Sequence, residues 1–80
     1  MHVLVIPKGA YVSWDDFSAR ASEAEIAGFV RAVGQVAREL ELVQTGYRLL
    51  ANIGQDGHQE VPHLHVHLFG GRPLGPMLAR

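Results

Sequence analysis

Three features of this sequence predict an α+β fold in which one long helix lies on a small antiparallel sheet. Short β-rich segments punctuated by proline and glycine stand near both ends, and one stretch with helical apolar periodicity lies between them. A segment near the C-terminus alternates polar and apolar residues without a fault. The first strand is His2 to Ile6, rich in β-branched residues and stopped by Pro7, which cannot donate to a ladder. Gly9 turns the chain. From Tyr11 to Ala21 the pattern is irregular and allows one short helical turn. Ser22-Glu23-Ala24-Glu25 then has the serine and the glutamate three residues on that form a capping box, with two acids where the helix dipole favours them. Ile26, Phe29, Val30, Val33, Val36, Ala37 and Leu40 recur at three- and four-residue steps, which predicts an amphipathic helix to about Glu41. Gly46 breaks that pattern before a second strand over Tyr47 to Ile53, and Gly54 to Gly57 supply a loop. His63 to Phe69 alternates as a third strand ended by Gly70-Gly71, and the residues after Pro73 read as an extended or irregular tail.

Composition narrows the function classes. Seven basic residues against eight acidic ones give a net charge of −1, with 48% hydrophobic and 19% charged residues, which excludes a disordered or nucleic-acid-coating chain. The apolar run Val3 to Ile6 is far shorter than the roughly 20 residues of a membrane span and lacks the flanks of a signal peptide. The expectation is one domain over residues 1–80, cytoplasmic, with neither nucleic acid nor membrane as a partner. Eighty residues bury a thin core, and with no cysteine a disulfide cannot reinforce it.

On a strand, His63, His65 and His67 line one face while Leu64, Val66 and Leu68 line the other. Three neighbouring imidazoles would repel if charged and gain nothing structural that threonine or glutamine would not supply. Successive same-face residues stand about 6.7 Å apart, so placing all three on one metal is awkward. A zinc site would need His2, His58 or Glu60 brought in by the fold. The alternative is that one imidazole serves as nucleophile or general acid-base while its neighbours set its tautomer.

The segment His63-Leu64-His65-Val66-His67-Leu68-Phe69 resembles the motif of the histidine-triad family, in its nucleotide-binding branch. His2-Val3-Leu4-Val5-Ile6-Pro7-Lys8 resembles the strand carrying that family's fourth histidine. Gly46-Tyr47-Arg48, the loop of Asn52, Gly54, Gln59 and Val61, and Gly70-Gly71-Arg72 are similar as well. The resemblance implies a nucleotidyl hydrolase or transferase acting at the α-phosphorus of a purine nucleotide derivative, such as a nucleoside phosphoramidate or related phosphoanhydride. His65 would be the nucleophile, His63 and His67 would bond to phosphate or leaving group and orient it, and His2 would support them. Asn52 and the loop of His58, Gln59 and Glu60 would hold ribose and phosphate. No metal or other cofactor is implied.

The sequence departs from the family pattern at several places. The family domain normally carries a helix and a strand hairpin ahead of the strand that begins here at His2, so the sequence reads as an N-terminally shortened domain. His58 stands where glycine is common, and Glu60 where serine is. The tail lacks a tryptophan-containing ending. Two other function classes therefore stay open: a nucleotide-binding module without turnover and a zinc-holding structural domain. The resemblance also implies a homodimer through residues 22–41 and 47–53, with Tyr47 or Leu49 packing across the two-fold axis.

Overall fold

A computed structural model describes residues 1–77. The elements run β1 (His2–Val5), α1 (Trp14–Arg20), α2 (Glu23–Glu39), β2 (Tyr47–Leu50) and β3 (Val66–Gly70). β3 is central in a three-stranded sheet of order β1-β3-β2 and pairs antiparallel with both neighbours. The irregular tail expected after Pro73 holds through Met77, and residues 78–80 lie outside the described residues.

Each helix starts where its serine permits. The Ser22 hydroxyl accepts from the Glu25 amide and the Glu25 carboxylate accepts from the Ser22 amide, both at 3.1 Å, so the expected capping box is formed. α1 is a correction: the expected single turn is a seven-residue helix, because the Ser13 hydroxyl caps the Asp16 amide and Asp15 and Asp16 complement its N-terminus. α2 ends at Glu39, two residues before the expected end. Leu40 serves as its C-cap, and Glu41 at a φ of 59° lies in left-handed backbone that no helix continues.

The strands are shorter than the sequence predicts. β1 ends at Val5 and β2 at Leu50, and β3 begins only at Val66, since its ladder partners extend no further than Val5 and Leu50. The alternation nevertheless persists beyond the ladder. Leu64, Val66 and Leu68 are buried while His63, His65 and His67 are half-buried on the opposite side. Phe29 and Val33 of α2 pack with Leu64 and Val66, together with Tyr11 and Phe17, and Ala37 packs with Leu42 and Leu68. Thus the apolar row is fixed beneath the helix and the histidine row is turned outward. Val30, expected in the stripe, is 59% exposed. Among the described residues no helix is long and apolar enough to cross a membrane.

Candidate active site

The site is built on the sheet face opposite the helix. The register sets Leu4 of β1 and Leu50 of β2 on either side of His67, and His2 opposite Phe69. Cross-strand partners share a face, so His2, His67 and Phe69 form one aromatic group. His2 Nε2 lies 2.7 Å from His67 Nδ1, close enough that the two imidazoles share a hydrogen between them. The His2 ring stacks on Phe69 at 4.2 Å, and His67 lies 5.0 Å from His2. Burial, reinforced by the neighbouring His65 and His2, pushes the His67 imidazole below its ordinary 6.5, so it is neutral at neutral pH.

His65 is held differently. Its Nδ1 lies 2.8 Å from the His63 carbonyl oxygen, which can only accept, so Nδ1 carries the proton. In this tautomer Nε2 carries the lone pair that a nucleophile or base requires. Its ring meets that of His67 edge to face at 5.0 Å. By the same reasoning, His63 Nε2 donates to the Pro7 carbonyl at 3.2 Å, which anchors its ring to backbone. The structure thus brings His2, His65 and His67 together, and His63 adjoins them through its own carbonyl.

The loop residues divide. Leu50 pairs with His67, so Asn52 and His65 each lie two residues beyond that pair at the same end of the ladder, and Asn52 is half-buried there. Gln59 is engaged in holding its own loop. Its amide nitrogen donates to the Val12 carbonyl at 2.6 Å and the Val61 carbonyl at 3.1 Å, while its oxygen accepts from the Gly54 amide. His58 and Glu60 pair with each other at 2.9 Å, both largely exposed, and nothing ties them to the histidines. The φ of His58 is 58°, left-handed backbone that favours glycine. Among the described residues no three His, Asp or Glu side chains gather to hold a metal. His2 and His67 share a hydrogen at a separation too short for two nitrogens bound tetrahedrally to one zinc.

Sequence reasoning missed two features. Phe69, read only as the end of a strand, is the platform under His2. The segment 7–12 supplies carbonyl acceptors to His63, Leu64 and Gln59. Only its proline and glycine punctuation marked it in the sequence.

A model of the HIT domain matches residues 1–74. The chain is 66% identical over 79 residues to an uncharacterised HIT-like protein of 13.2 kDa from Azospirillum brasilense, covering 99% of this chain and 65% of that relative. It is 41% identical over 78 residues to the purine nucleoside phosphoramidase of Escherichia coli K12, covering 98% and 65%. A solved HIT family hydrolase from Legionella pneumophila superposes with a TM-score of 0.82 at 36% identity, covering 94% of this chain and 66% of that one. The chain spans about 65% of the length of the curated relatives it matches.

Proposed function

Because the chain belongs to the HIT domain family, we propose that it is a nucleotidyl hydrolase or transferase acting at the α-phosphorus of purine nucleotide derivatives, nucleoside phosphoramidates first among them, with related phosphoanhydrides as the alternative substrates. One observation carries this reading. The bond from His65 Nδ1 to the His63 carbonyl leaves Nε2 with a free lone pair. In the first step that lone pair attacks phosphorus and an N–P bond forms. The bond to the leaving amine breaks, and the amine takes the electron pair and a proton. Water then attacks the nucleotidyl-histidine and gives up a proton, which replaces the one the amine took, and the imidazole departs with its lone pair restored. The neutral His67 stands beside His65, with His2 bonded behind it, to relay those protons, and Asn52 is the candidate contact for ribose or phosphate. The exposed pair His58 and Glu60 contributes least, since a carboxylate beside a phosphate is unfavourable.

The direct test is turnover of adenosine phosphoramidate by His65→Ala. The expected result is loss of turnover with nucleotide binding kept within about a few-fold. Wild-type turnover by that variant would sink the assignment, and saturable binding without turnover by the unaltered chain would favour a binding module.

The partner we propose is a second copy, in a cytoplasmic setting. A groove of about 670 Å³ opens between α2 and β2, lined by Trp14, Phe29, Val30, Val33, Tyr47 and Leu49. Four of these, Trp14, Val30, Tyr47 and Leu49, are exposed, and the outer edge of β2 has no strand beside it among the described residues. An isologous contact there would cover both.

A further inference from the structure

The nucleophile of the proposed reaction lies outside the sheet. β3 starts at Val66, so His63, Leu64 and His65 have no ladder partner, whereas His67 and His2 sit on paired strands. The backbone between the first two histidines is held instead by the segment 7–12. Leu64 N–H donates to the Tyr11 carbonyl at 2.7 Å, the His63 ring donates to the Pro7 carbonyl, and the Gln59 amide donates to the Val12 carbonyl. Two acceptors of one strap thus hold the His63–Leu64 segment, and a third ties the Gln59 loop to it.

The strap is in turn fixed from its other side. The Tyr11 hydroxyl donates to Glu25 Oε2 at 2.8 Å, the Val12 amide donates to Asp16 at 2.8 Å, and Arg20 donates to the Ala10 carbonyl at 3.2 Å. The Tyr11 ring is buried, edge-on to Phe17 at 5.1 Å and covered by the Arg20 guanidinium at 5.1 Å. Gly9 permits this closeness, since a Cβ there would stand 2.5 Å from the Tyr11 ring and 3.2 Å from the Glu25 carboxylate. One carboxylate therefore serves two ends: Oε1 of Glu25 closes the cap of α2 and Oε2 holds Tyr11.

We propose that Tyr11, tied by Glu25, is a positioning residue for His65: it fixes the strap 7–12 whose carbonyls hold His63 and Leu64, and so sets where the His65 ring stands. This rests on the hydrolase reading for its kinetic consequence, and on geometry alone for its structural one. Displacing a nucleophile by a fraction of an ångström slows chemistry more than it weakens binding. Tyr11→Phe removes only the hydroxyl bond. The expected result with adenosine phosphoramidate is a kcat lowered about tenfold with KM within about twofold, because an interaction acting on the attacking atom is lost rather than one to bound substrate. Glu25→Ala should behave alike, while Glu25→Gln, whose amide can still bond both Ser22 and Tyr11, should restore most of kcat. Ser22→Ala weakens the cap of α2 without touching Tyr11 and should leave kcat unchanged. The imidazole nitrogen resonances of folded Tyr11→Phe should shift most for His63 and His65 and least for His2, which sits on a paired strand away from the strap. Unchanged His63 and His65 resonances, or an equal loss of kcat in Ser22→Ala, would overturn the proposal. If the unaltered chain turns over no phosphoramidate, the hydrolase reading falls and the resonances alone decide the positioning role.

Discussion

At the scale of single residues, the four histidines of the site do different work because their partners differ. His65 and His63 donate to backbone carbonyls, which settles where their protons sit. His67 and His2 bond to each other, and burial keeps His67 neutral. With the folded value below the unfolded 6.5, the unfolded chain takes up the proton first as pH falls. The stability owed to neutral His67 is therefore complete above pH 6.5 and is lost as pH drops through the folded value. Denaturant melts across that window should show this loss, and a smaller one for His67→Asn. His2→Ala removes one charge neighbour and some burial, so the His67 midpoint should rise toward 6.5 in a resonance titration. An unchanged midpoint would detach His2 from His67. Alternation in the sequence made the histidine row legible, since side chains at period two share a face whether or not the strand is paired. The tautomers were not legible, because they depend on carbonyls such as that of Pro7, distant in the chain.

Among the elements, those with local causes could be read from sequence and those set by pairing could not. Ser22 and Glu25 announce α2 by a reciprocal bond closed within four residues. Ser22→Ala should lower stability by about 1 kcal/mol in a denaturant melt, and no change would mean the cap contributes nothing. The length of α1 is not legible in the sequence because its cause lies partly outside the helix. Asp16 accepts from Arg20 one turn on and from the Val12 amide before the helix, and these bonds hold its carboxyl at about 2. The strand ends are hidden in the sequence for a similar reason. Val66 is where β3 begins because Val5 and Leu50 are where its neighbours stop, a fact of register rather than of propensity. The role of the strap 7–12 is hidden in the sequence because its bonds to His63, Leu64 and Gln59 reach about fifty positions along the chain.

For the whole molecule, two consequences follow from one sheet with a helix on one face. The helix side leaves Trp14, Val30, Tyr47 and Leu49 exposed around an apolar groove beside the edge of β2, which no strand pairs among the described residues. Light scattering at micromolar concentration should therefore find a dimer, with an unfolding midpoint that rises with concentration; a stable folded monomer would remove the second copy from the account. Tyr47→Glu should shift that equilibrium toward monomer. The opposite face carries the histidines, and the central claim is that His65 becomes covalently nucleotidylated. The most direct measurement is intact and peptide mass spectrometry of the protein quenched during turnover of adenosine phosphoramidate. The expected result is one adenylyl adduct on the peptide containing His65, absent in His65→Ala and chased away by further incubation. Full turnover with no adduct, or an adduct confined to another residue, would contradict it.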